Sequence, residues 1–151
     1  MKKILFTFLF FLVGLTTFAQ QSPAKSQLPA VMLRNLEGKS VKTDTLSNAG
    51  RPLIISFFAT WCKPCNRELS ASSEVYEDWQ RETGVRVIAV SIDEGQNAEK
   101  VRPFVDGKGW DFDILLDPNS NFRRAMGVNL IPHVFVLDGQ GKVVLSRSGY
   151  T

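Results

Sequence analysis

The strongest constraint on the fold is a junction near the middle of the chain. An apolar run, Leu53-Ile54-Ile55-Ser56-Phe57-Phe58-Ala59, leads through Thr60 into Trp61-Cys62-Lys63-Pro64-Cys65. The run is apolar on both alternating faces and rich in β-branched and aromatic residues, so it predicts a central strand covered on both sides, as parallel strands are. Helical spacing follows. Cys65, Leu69, Tyr76 and Trp79 fall on one stripe between about Cys65 and Glu82, with Ser72 filling the gap and Gly84 as a stop. Val85 to Ile92 is a second buried strand. Strand, helix and strand of these lengths imply a right-handed crossover and parallel pairing.

Around this unit the sequence predicts smaller elements. Ala30 to Val41 alternates apolar positions about the turn Glu37-Gly38-Lys39, which predicts a β-hairpin; Thr43 to Gly50 is polar, with a short helical turn. Asp93 to Asn97 reads as a polar loop. A helix is expected over about Ala98 to Lys108, with Pro103 in its first turn or kinking it. Asp113 to Asp117 reads as a short strand and Pro118 to Met126 as a short helix closed by Gly127. His133 to Leu137 and Lys142 to Ser146 flank Asp138-Gly139-Gln140-Gly141, a hairpin signal, so they pair antiparallel.

The N-terminus has a different character. Lys2 and Lys3 precede an apolar core from Ile4 to Leu15, and Thr17-Phe18-Ala19 places small residues at −3 and −1 relative to a cut before Gln20. This predicts a signal peptide over 1–19 in preference to an uncleaved anchor, because the apolar run falls short of the ~20 residues a bilayer span needs. Residues 20–29 form a polar linker, and 30–151 one domain. The whole chain has 151 residues and a formal charge of +3, with 18 Lys and Arg. Setting aside Lys2 and Lys3 leaves 16 bases against 15 acids, nearly neutral, and no basic cluster is present to hold nucleic acid. Export places the domain where disulfides persist, in the periplasm or an equivalent compartment.

Cys62 and Cys65 are the only cysteines. Dithiol–disulfide exchange uses this spacing: one thiol attacks a substrate disulfide and the second resolves the mixed disulfide. Two other uses of the pair carry less weight. A clip across so short a loop removes little chain entropy, and zinc wants four ligands where His133 is the only histidine. Cys62 is the expected nucleophile, since a helix N-terminus offers unpaired N–H groups and a positive dipole end that favour thiolate. Cys65, one turn in, is the expected resolving thiol. Lys63 adds a neighbouring charge, and Pro64 suits N1 of the helix. Trp61 shapes a docking surface or packs in the core. Glu68 follows Cys65 by three residues and lies on a neighbouring face; it is a proton partner or an ordinary first-turn glutamate. His133 is a strand-end residue, solvated or relaying protons. No cofactor or metal is called for.

Trp61-Cys62-Lys63-Pro64-Cys65 after an apolar strand, Ile131-Pro132 before a late strand and a terminal glycine hairpin resemble the thioredoxin superfamily. The N-terminal hairpin, Phe57-Phe58-Ala59-Thr60-Trp61, Glu68 and the extra helix and strand near 97–117 are similar to the exported TlpA/ResA-like thiol–disulfide oxidoreductases. The resemblance covers about Ala30 to Thr151. It implies an α/β three-layer sandwich, a cis bond at Ile131–Pro132 that exposes backbone for substrate docking, and a Glu68 that influences the thiols. It also implies a C-terminal helix beyond Gly149-Tyr150-Thr151, where this chain stops. Protein-disulfide reduction is the implied activity, on protein clients that form mixed disulfides with a monomer fed by a membrane electron donor; apocytochrome cysteines are possible clients. A disulfide-forming oxidant, a peroxiredoxin-like peroxidase and a redox-inactive binding module are the alternatives. The peroxidase is disfavoured because no Pro-x-x-x-Thr-x-x-Cys pattern precedes Cys62.

Overall fold

The computed structural model describes residues 28–150; the expected signal peptide and most of the linker lie outside them. Seven strands form one mixed sheet: β1 (Met32–Asn35), β2 (Ser40–Lys42), β3 (Leu53–Phe58), β4 (Arg86–Ser91), β5 (Asp113–Leu116), β6 (His133–Leu137) and β7 (Val143–Ser148). Their spatial order is β2-β1-β5-β4-β3-β6-β7. β3, β4 and β5 run parallel, while β1 and β6 flank them antiparallel. The helices are α1 (Lys63–Thr83), α2 (Gln96–Glu99), α3 (Val101–Lys108) and α4 (Asn121–Ala125).

β3 is central because both of its faces are covered. Period-2 alternation sends Phe57 to one side, where it meets Phe122 of α4 and Phe135 of β6 at ring distances of 5.4 and 6.1 Å. Phe58 goes to the other side, against Trp110 at 5.7 Å, and Trp110 Nε1–H donates to Ser70 Oγ of α1 at 3.2 Å. The sheet thus has α1 on one face and α4 on the other. α1 is further tied down by Tyr76, whose hydroxyl accepts Val87 N–H at 3.2 Å. The helix ends where Gly84 takes a left-handed φ of 67°, which a side chain would resist.

Several predicted bounds change. α1 begins at Lys63, two residues before the first apolar residue of its stripe, because Cys62 provides the N-cap; Pro64 therefore sits at N2 instead of N1, where its missing N–H is equally harmless. The helix expected over 98–108 is two pieces separated by Lys100, and Pro103 lies in the first turn of α3. The one expected over 118–126 shrinks to α4, since Asp117 accepts the N–H groups of Asn121 and Arg123 and starts the helix late. Trp79 is 37% exposed, so the apolar stripe of α1 is covered only in its first part.

Candidate redox site

The C-terminal end of β3 delivers the chain to Cys62, which caps α1. Cys62 and Cys65 form a disulfide with Cα atoms 5.3 Å apart. The Sγ of Cys62 accepts the backbone N–H of Cys65 at 3.3 Å. The Cys62 sulfur is therefore held on an N–H of the first helical turn that has no intrahelical partner, at the positive end of a 21-residue helix. Burial differs between the two sulfurs' residues: Cys62 is 6% exposed and Cys65 0%. Of the two, Cys62 is the residue that retains some exposed surface. Trp61 is 64% exposed beside it, which removes the core-aromatic role and leaves the indole on the surface. Lys63 is also exposed.

β6 brings the second half of the site. The antiparallel register pairs Phe57 with His133, so residues just before His133 lie beside the end of β3 from which Cys62 emerges. The Ile131–Pro132 bond is cis. Pro132 O accepts Gly149 N–H at 2.8 Å, whereas among the described residues the N–H and C=O of Ile131 have no hydrogen-bond partner. The loop before them is braced by Arg123, which donates to the carbonyls of Val128 and Asn129, each at 3.1 Å. His133 is half-buried: its Nε2 bonds Ser146 Oγ at 2.9 Å and its ring stacks on Phe135, and burial lowers its pKa.

Glu68, on α1, is half-buried and faces β3, where it accepts the Ser56 hydroxyl. Burial pushes its carboxyl above the ordinary value near 4.5, against the Ser56 hydroxyl bond and the positive Arg147, both of which pull it down. Ser56, Glu68 and Arg147 line one hollow of about 280 Å³ that reaches Leu145 and Tyr150. Among the described residues, no group of three or more His, Cys, Asp or Glu could hold a metal ion.

Two contributors escape a reading of the sequence. Ser56 is the polar interruption of an apolar strand, a signal available but silent about its partner. Asp93 reads as loop, yet it is 1% exposed and accepts hydrogen bonds from Thr60.

A helix-capping disulfide on this sheet, faced by a cis-proline loop, defines a thioredoxin-like protein with a dithiol/disulfide centre. The chain belongs to the AhpC/TSA family, whose model matches residues 24–146. It is 34% identical over 118 residues to the thiol-disulfide oxidoreductase ResA of Bacillus thuringiensis (strain Al Hakam), covering 78% of this chain and 65% of that protein. It thus spans a little under two thirds of the length of that relative. With the ResA of Geobacillus thermodenitrificans (strain NG80-2) it shares 31% identity over 149 residues, 95% of this chain and 83% of the relative. Among solved structures, an uncharacterized thioredoxin-like protein from Porphyromonas gingivalis is 65% identical, with a TM-score of 0.76 over 85% of this chain and 84% of that one.

Proposed function

We propose that the protein is a thiol–disulfide oxidoreductase that reduces protein disulfides in an exported compartment. The observation that carries this is the Cys62 sulfur at the N-cap of α1, bonded to Cys65 N–H, with its partner sulfur buried behind it. The likeness to two ResA proteins supports the same reading.

In the reduced state Cys62 thiolate attacks one sulfur of a substrate disulfide. A Cys62–substrate disulfide forms and the other substrate sulfur leaves as thiolate, taking a proton from water. Cys65 then loses its proton, with Glu68 as the nearby acceptor, and attacks Cys62 Sγ. The second substrate thiol is released and the Cys62–Cys65 disulfide remains. Two electrons pass from the dithiol to the substrate. The free N–H and C=O of Ile131 offer an edge on which an extended client pairs while joined to Cys62, and Trp61, Lys63, Pro64 and Pro132 complete the docking surface.

The oxidised pair is recharged by a membrane electron donor, and clients include the haem-binding cysteines of apocytochromes; the protein acts as a monomer. The signal peptide supports export, and among the described residues no helix is long and apolar enough to cross a membrane.

The test is equilibration of the mature protein with defined glutathione ratios, together with insulin reduction. A potential near about −270 mV supports a reductant, and one near about −120 mV would make it an oxidant. Rapid peroxide consumption without a disulfide substrate would replace both readings with a peroxidase.

A further inference from the structure

β4 ends at Ser91, and two residues later the carboxylate of Asp93 is buried. A buried carboxylate requires several donors. Ser91 Oγ supplies one, to Oδ2 at 2.8 Å. Thr60 supplies two: its N–H to Oδ2 at 2.9 Å and its hydroxyl to Oδ1 at 2.6 Å. On its other side Thr60 accepts Asn66 Nδ2–H at its carbonyl, at 2.9 Å. The residue two before Cys62 is therefore held at amide, hydroxyl and carbonyl, from the end of β4 and from the first turn of α1. Cys62 N–H closes the same turn on Ala59 O at 3.0 Å.

We propose that Asp93 is a positioning residue for the redox pair: acting through Thr60, it holds the 59–62 loop so that Cys62 Sγ stays at the helix cap once the disulfide is opened. This rests on the reading of Cys62 as the exchanging thiol. While the disulfide is closed, the covalent bond itself keeps the sulfur beside Cys65 N–H. In the reduced protein only the loop does so, and the thiolate gains from the helix terminus only over short distance. The alternative for a buried carboxylate near a thiol is a charge effect, which has the opposite sign. A negative charge disfavours thiolate, so neutralising it would make Cys62 more reactive.

The test is the rate of iodoacetamide alkylation of Cys62 in the reduced full chain at pH 7, with its pH profile and the Tm measured in parallel. Thr60→Val deletes the hydroxyl donor. Asp93→Asn turns an amide N–H₂ against one of the Thr60 donors. Both are expected to slow alkylation by about three- to tenfold, equal to an upward move of about half to one pH unit in the profile. Thr60→Ser, which keeps the hydroxyl, is expected to restore the rate. A lowered Tm with unchanged alkylation would reduce the clamp to a structural one, and faster alkylation in Asp93→Asn would assign the effect to charge; either overturns the proposal. If neither variant folds, amide exchange in the reduced wild-type chain decides. Protection of Thr60 N–H like that of β4 supports the clamp, and exchange at the rate of an open loop refutes it. Alkylation needs no protein substrate, so a chain that fails to reduce insulin can still pass this test, and one that reduces it can fail.

Discussion

The hydroxyl of Ser56 donates to Glu68 Oε1 at 3.1 Å, joining the one polar residue of β3 to the helix that Cys62 caps and that contains Cys65. This bond keeps a half-buried carboxyl within the site where a water-exposed rotamer would otherwise be preferred. It also fixes the side of the sheet on which the Glu68 carboxyl is held.

Replacing that carboxyl separates its two effects. Burial raises the Glu68 pKa above its ordinary value near 4.5, so the native state binds the proton more tightly than the unfolded chain. The stabilisation is full below the unfolded value and is lost as pH rises through the raised folded value. Glu68→Gln keeps an oxygen for Ser56 and carries no charge to desolvate. It is expected to have a Tm at pH 7 equal to or above that of the wild type, and to flatten the loss of stability as pH rises above about 4.5. Resolution of a preformed Cys62 mixed disulfide is expected to slow by about tenfold or more, the scale of a lost proton acceptor. A variant that is destabilised at pH 7 and resolves at the wild-type rate would leave Glu68 with no part in the chemistry.

The unequal burial of the two cysteines predicts an order of events. Cys65→Ser is expected to accumulate a stable covalent adduct with disulfide substrates, visible on non-reducing gels and dispersed by dithiothreitol. Cys62→Ser should form none, because its remaining thiol is enclosed. Equal trapping by both variants would mean that Cys65 opens to solvent and that the assignment of attacker and resolver is wrong.

Trp61 makes a separable prediction. Its indole is largely in water, so little of its area contributes to the core and Trp61→Ala should change the Tm by only about 1–2 °C, as surface substitutions do. The same side chain precedes Cys62 directly, and on the proposed docking surface it is the flat apolar face that meets a client. KM for a protein disulfide should rise several-fold in this variant, while reduction of a small disulfide such as that of hydroxyethyl disulfide stays near wild type. An equal loss on both substrates would mean that Trp61 acts on the thiols and not on docking.

These predictions draw on different depths of information. The β3–α1–β4 unit is legible in the sequence because strand and helix periods switch across Cys62, and a doubly buried strand has no polar face to confuse the pattern. The hairpins are legible through Gly38 and the Gly139–Gly141 turn. The break at Lys100 is not, since the helical spacing continues through it and only local backbone geometry ends α2. Among site residues, the cysteine pair is marked by its spacing. Asp93 is hidden because an acid after a strand looks like any loop residue; its burial follows from Thr60, 33 positions earlier, folding against it. His133 shows the reverse case, a conspicuous residue that the structure occupies with Ser146 and Phe135.

The far edge of the sheet supplies the last prediction. Gly139, in the turn between β6 and β7, packs so closely on the turn before β3 that a Cβ there would lie 2.0 Å from Gly50 O and 2.5 Å from Gly50 C. Both contacts are backbone, so neither can swing aside as a side-chain tip could, and one of the two turns must move. Gly139→Ala is therefore expected to cost about 1–3 kcal/mol, the usual range for overpacking. At roughly 3–5 °C per kcal/mol for a domain of this size, the Tm falls by about 3–15 °C. Leu137 pairs with Leu53 and His133 with Phe57, so this turn and the cysteines sit at opposite ends of β3, about 20 Å apart at ~3.3 Å per residue. The folded variant should then alkylate Cys62 at the wild-type rate and keep its equilibrium with glutathione. Thermal denaturation followed by thiol kinetics at 15 °C distinguishes the outcomes. An unchanged Tm would show that the two turns separate freely, and altered thiol kinetics would show that strain at Gly50 passes along β3 to the redox loop.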